Sequence, residues 1–66
     1  MHRIEDWRGL FHVSQRKLAE KVGVSLGTII RWEKMPETIP VGKLQKIAEV
    51  FGISITDINF SPKNPT

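Results

Sequence analysis

The sequence contains no cysteine, which excludes disulfide bonds and thiolate metal sites. His2 and His12 alone lack the ligands that a structural metal ion needs. No apolar run approaches the roughly 20 residues of a membrane-spanning helix, and the polar N-terminus lacks the apolar core of a signal peptide. We therefore expect a soluble, cytoplasmic protein that holds no metal or other cofactor and does not bind a membrane.

The residue groupings of common active sites are also missing. Neither a Ser-His-Asp arrangement, nor a pair of carboxylates in a cleft, nor a glycine-rich phosphate loop can be assembled from these 66 residues. A domain of this size also leaves little room for a substrate pocket. We therefore expect a binding protein without a small-molecule substrate, not an enzyme.

The positive charge is concentrated in one part of the chain. The formal net charge is +3, and residues 14–34, with five basic and two acidic side chains, account for all of it. Basic and acidic residues balance in the rest of the chain. Residues 14–34 are therefore the electropositive part of the molecule.

Apolar residues recur at steps of three and four almost throughout, which predicts helices and argues against strands. Capping serines and terminal glycines divide the pattern into five short helices. The first predicted helix is Arg3–Phe11, with Ile4, Trp7 and Phe11 on one face. The remaining predicted elements are a second helix Gln15–Val22 between Ser14 and Gly23, a third helix capped by Ser25 that ends at Pro36 at the latest, a loop over Met35–Pro40, a fourth helix Gly42–Phe51 closed by Gly52, and a last helical turn from Ser54.

These elements form one domain over residues 1–60, and we expect residues 61–66 to be a disordered tail. Within the domain, the second and third helices are separated by little more than Gly23. Ala19 is small enough to let the third helix approach closely, and Gly23 supplies a left-handed turn. Large apolar residues around them then fix a steep crossing angle. This spacing is typical of a helix-turn-helix.

The residues QRKLAEKVGVSLGTIIRWEK, 15–34, resemble the DNA-binding core of the lambda repressor and Cro-type transcriptional regulators. The similarity extends to Arg8, to Ile39 and Pro40, and to KLQKIAEVFGIS at 43–54, and it covers about Ile4 to Ile58. The resemblance implies an all-α, five-helix domain that binds double-stranded DNA sequence-specifically. It also implies a phage or bacterial repressor that acts as a dimer on a palindromic operator and is associated with the nucleoid.

The resemblance further implies that the third helix enters the major groove. Arg31 is the best candidate for base readout, because its planar fork matches guanine O6 and N7. The implied base contacts are Leu26, Gly27, Thr28 and Arg31, the implied phosphate contacts are Gln15, Arg16, Ser25, Lys34 and Lys43, and Arg8 with Glu33 is an implied structural salt bridge.

Simpler interpretations stand beside these. Any one of Arg16, Lys17, Lys21 and Lys34 is equally consistent with a solvated face, whereas the central position of Arg31 on the exposed side favours a DNA contact. Leu26 is also consistent with a spare apolar residue at a helix start. Gln15 is also consistent with helix propensity alone, although the resemblance favours a phosphate contact. Gly27 stands where the family often has a longer polar residue, so it either lets the backbone lie deeper in the groove or is unused.

Trp7 and Trp32 fit core packing better than base stacking. Ile55, Ile58 and Phe60 either form the dimer contact or close the core. The alternative function for the whole domain is a protein-interaction module.

Overall fold

A computed structural model describes residues 1–63. The elements are α1 (Ile4–Phe11), α2 (Gln15–Val22), α3 (Leu26–Lys34), a 3-10 turn (Pro36–Thr38), α4 (Val41–Phe51) and a second 3-10 turn (Ile55–Asp57). Residues 64–66 of the predicted tail lie outside the described residues. Over positions 1–63, none of the helices has the length and apolarity that crossing a membrane would require.

The all-helical class is confirmed, but the prediction of five helices is wrong in its last element. The segment after Ser54 forms a 3-10 turn of three residues. Ile58 then leaves the turn with extended backbone angles and forms an isolated bridge with His2, while the Asn59 N–H donates to the His2 carbonyl over 2.8 Å. Pairing with the N-terminal segment therefore ends the helical conformation.

Two other boundaries differ from the prediction. Part of the predicted loop, Pro36–Thr38, is a 3-10 turn, in which the Thr38 hydroxyl donates to the Met35 carbonyl over 2.7 Å. The fourth helix begins one residue early, at Val41, because Pro40 occupies its N-cap position in an extended conformation. The prolines thus shape a short connection between α3 and α4.

The signals that predicted the ends of the central helices are confirmed. Ser14 and Ser25 each accept a hydrogen bond from the backbone N–H three residues later, at 3.0 and 3.2 Å. Gly23 and Gly52 end α2 and α4 with φ of 81° and 67°. A side chain is strained in this left-handed region, so glycine is the residue that suits both positions.

One apolar core joins the helices and the C-terminal segment. Its buried members are Ile4, Leu18, Ala19, Val22, Ile29, Trp32, Ile39, Leu44, Ile47, Ala48, Phe51 and Ile58. Phe11, which the helical period places on the same face of α1 as Ile4, is about half exposed. Its ring instead stacks between Trp7 and Phe51, with centroid distances of 6.2 and 5.7 Å.

The C-terminal segment holds α1 against the rest of the domain. The Trp7 indole N–H donates to the Asp57 carbonyl over 3.1 Å. Arg3 donates to the Ser61 carbonyl over 2.9 Å, and Lys63 pairs with Glu5. The first residues of the predicted tail, 61–63, therefore contact α1.

Candidate nucleic-acid interface

The turn between α2 and α3 is short and closely packed. The backbone N–H groups of Gly23 and Val24 both donate to the Ala19 carbonyl, over 2.8 and 3.0 Å. Ala19 itself is buried, so no larger side chain separates the two helices at this point. The arrangement is the helix-turn-helix that the spacing predicted.

The exposed side of α3 is its most polar side. Gly27, Arg31 and Lys34 are exposed, whereas Ile29 and Trp32 are buried on the opposite side. Successive residues of an α-helix are rotated by 100°, so these three exposed positions form one stripe along the helix. This stripe, the outer face of α3, contains no carboxylate.

Two half-buried residues flank the start of this face. Leu26 is the first residue of α3. Thr28 lies on the other side, and its hydroxyl shares a hydrogen bond of 2.9 Å with the Ser25 hydroxyl. Ser25 Oγ also accepts a hydrogen bond from the Thr28 N–H. The side chains of Ser25 and Thr28 therefore fix the start of α3 and place two hydroxyl groups there.

The carboxylate of α3 is turned inward and is neutralised there. Arg8 Nε lies 2.5 Å from Glu33 Oε2, and Arg8 Nη2 lies 3.1 Å from Oε1. Gln15 donates to the same Oε1 over 2.8 Å. Glu33 is only 8% exposed, and Arg8 also donates to the Val13 carbonyl over 3.2 Å. This network joins α1, the start of α2 and the end of α3.

The cations proposed from the sequence remain at the surface without acidic partners in the part of the chain that is described. Arg16, Arg31 and Lys34 are exposed and Lys43 is half-buried. Within residues 1–63 the salt bridges are Arg8–Glu33, Lys17–Glu20 and Lys63–Glu5. These four side chains are therefore available to a polyanion.

Two features of this surface were not predicted from the sequence. Ile30 is half-buried beside the outer face, four residues after Leu26, so the two form an apolar strip along one edge of α3. The spacing of four residues between Leu26 and Ile30 would have been enough to predict this strip from the sequence. The hydrogen bond from Gln15 to Glu33 carries no such signal, because its partners are 18 positions apart.

No potential metal site appears among residues 1–63, where His, Asp and Glu side chains nowhere gather in threes. The structure brings Leu26, Gly27, Thr28 and Arg31 together on or beside one face of α3. Gln15 and Ser25 lie at the two adjoining helix starts. Lys43 belongs to α4, on a separate element.

Comparisons with known proteins agree with this geometry. A family described as helix-turn-helix matches residues 4–58. An uncharacterized HTH-type transcriptional regulator of Archaeoglobus fulgidus is 39% identical over 56 residues, covering 85% of this chain and 79% of that protein. An uncharacterized HTH-type transcriptional regulator of Methanocaldococcus jannaschii is 39% identical over 57 residues, covering 86% of each chain. No solved structure gives a significant match.

Proposed function

This chain belongs to the helix-turn-helix family of transcriptional regulators, and from that premise we propose that it binds double-stranded DNA sequence-specifically and acts as a repressor. The outer face of α3 would enter the major groove, with α2 lying across the phosphates. The single observation that carries the proposal is the composition of this face, on which Arg31 and Lys34 are exposed and no carboxylate occurs. A face of this kind attracts phosphates and presents donors to base edges.

Within this proposal, Arg31 reads a guanine. A bidentate contact to O6 and N7 discriminates against other bases by about 1–3 kcal/mol. Leu26 contacts a thymine methyl group, with Ile30 beside it, and Thr28 reaches a base or a phosphate. Gly27 meets the groove through its backbone if α3 lies deep.

Phosphate contacts complete the proposed interface. They come from Gln15, Arg16, Ser25, Lys34 and Lys43. Ser25 and Gln15 stand at helix starts, where backbone N–H groups and the helix dipole add to the attraction for an anion.

The proposed repressor is a dimer. One helix of nine residues, about 13 Å long, spans only about four base pairs, since successive pairs are about 3.4 Å apart. A palindromic operator with half-sites about 34 Å apart would supply the missing specificity. Of the three residues considered for the dimer contact, Ile58 is buried in the core, whereas Ile55 is half-buried and Phe60 is 43% exposed. We assign the contact to Ile55 and Phe60.

The test is selection of binders from a pool of random duplexes, with the wild type and Arg31→Ala in parallel. We expect the wild type to select a related set of sequences and to lose affinity steeply with added salt, because each neutralised phosphate releases a counterion. Arg31→Ala should lose the preference at one base position in each half-site. Retained preference in this variant would remove Arg31 from base readout.

Arg16→Ala is the matched control, because it removes the same charge from a proposed phosphate contact. It should weaken binding to all duplexes about equally and lower the salt slope by about 1. If the wild type gave no complex at low salt, or one indifferent to sequence and salt, the DNA-binding proposal would fail. The protein-interaction module would then be favoured.

A further inference from the structure

Gln15 and Glu33 connect the start of α2 to the end of α3. Gln15 is the first residue of α2 and is half-buried, and its Nε2 donates to Glu33 Oε1 over 2.8 Å. The carboxylate accepts two further hydrogen bonds from Arg8. Glu33 is therefore shared between a guanidinium on α1 and an amide at a helix start that belongs to the proposed interface.

The chemistry of the two groups fixes the orientation of the amide. An ionised carboxylate only accepts hydrogen bonds, whereas a carboxamide has a donor end and an acceptor end. The nitrogen end of Gln15 must therefore face Glu33. Its carbonyl oxygen and its second N–H remain for other partners.

Resting on the DNA binding proposed above, we propose that Glu33 is a positioning residue of the interface and sets the orientation of the Gln15 amide before DNA arrives. A donor that is already held in place loses less side-chain freedom when it binds a phosphate. Arg8 makes this arrangement compatible with DNA, because its positive charge offsets that of Glu33 and reduces repulsion between this carboxylate and the DNA backbone. Glu33 thus influences binding without itself touching DNA.

A double-mutant cycle on the duplex selected by the wild type tests the coupling. Glu33→Gln keeps the size of the side chain but offers Gln15 a donor as well as an acceptor, so the amide is no longer held in one orientation. We expect Glu33→Gln and Gln15→Ala each to lower the affinity for the selected duplex about tenfold, and the affinity for an unrelated duplex by a similar factor, because a phosphate contact does not depend on base sequence. The double variant should lose no more than Gln15→Ala alone.

Two further variants separate positioning from charge and from folding. Glu20→Gln removes the same charge from an exposed residue of α2 that pairs only with Lys17 among the described residues, so it should not lower the affinity for either duplex. Glu33→Asp keeps the charge beside Arg8 but withdraws the acceptor from Gln15. It should therefore show the same loss as Glu33→Gln. Circular dichroism at the temperature of the binding measurement verifies that each variant is folded.

NMR of the Gln15 side-chain NH2 group in the absence of DNA gives a second readout. In the wild type and in Glu20→Gln, one of the two protons should exchange slowly with water, and this protection should be lost in Glu33→Gln. The inference would be overturned by unchanged protection in Glu33→Gln, or by a double variant whose loss of affinity is the product of the two single losses. Either result would leave the proposed function standing. Failure of the wild type to select any duplex would instead overturn the proposed function, and this inference with it.

Discussion

Arg8 and Glu33 form a two-point ion pair between α1 and the last turn of α3, with N–O distances of 2.5 and 3.1 Å. Their side chains are only 18% and 9% exposed. The pair is therefore shielded from water, and a variant that removes one partner leaves the other charge without compensation.

The first prediction concerns this pair. We expect Arg8→Met to lower the free energy of unfolding by about 3 kcal/mol, because it leaves a buried carboxylate unpaired. Lys17→Met, which breaks the exposed Lys17–Glu20 pair at 3.7 Å, should change it by less than about 1 kcal/mol. Urea denaturation followed by circular dichroism measures both. Equal effects of the two variants would show that burial does not strengthen the Arg8–Glu33 pair.

The second prediction compares two glycines. Gly52 ends α4 with φ of 67°, whereas Gly9 lies inside α1, and an added Cβ meets nothing within 4 Å at either position. Gly52→Ala should therefore destabilise the fold by about 1–2 kcal/mol through backbone strain alone. Gly9→Ala should stabilise it by up to about 1 kcal/mol through helix propensity. Thermal unfolding should therefore show a lower Tm for Gly52→Ala and a higher Tm for Gly9→Ala than for the wild type. Tm shifts of the same sign in both variants would contradict the prediction.

The third prediction concerns Ile58 and Phe60. Ile58 is 1% exposed, so Ile58→Ala should destabilise the monomer by about 2–5 kcal/mol. Phe60→Ser should leave the unfolding free energy within about 0.5 kcal/mol but weaken the proposed dimer. Analytical ultracentrifugation of the variant with the selected duplex should show fewer two-protein complexes than the wild type. Unchanged assembly would remove Phe60 from the dimer contact.

The fourth prediction concerns Gly27. An added Cβ would meet only Ser25 Oγ, at 3.9 Å, so Gly27→Ala should fold normally and gain up to about 1 kcal/mol in stability. Titration of this variant with the selected duplex separates the two interpretations of the position. Affinity should fall if the backbone lies against the bases, and it should stay unchanged if the position is unused.

Much of this architecture was predictable because its causes are local. The caps at Ser14 and Ser25 and the turn at Gly23 depend on the conformation of a few neighbouring residues. The side of α3 that carries Arg31 follows from helical periodicity about Ile29 and Trp32. The family resemblance, now confirmed, supplied the overall arrangement and the expectation of DNA binding.

What the sequence did not predict depends on contacts between distant residues. The last turn did not become an α-helix because Ile58 meets His2, 56 positions away. Phe11 follows the helical period of Ile4, yet α1 is held at the edge of the core and leaves its ring half exposed. The Gln15–Glu33 contact also needs the assembled fold, since neither residue type signals the other.

The pairing of Asn59 with His2 brings the two ends of the folded domain side by side. Neighbouring termini are the geometric requirement for circular permutation, in which a peptide linker joins the old ends and a new break is made elsewhere. The connection at Pro36–Thr38 lies just after α3, so a break there would leave α2, Gly23 and α3 contiguous. A permuted chain of this kind would also present its new C-terminus beside Lys34, which makes that end a natural place to attach a reporter near the proposed DNA.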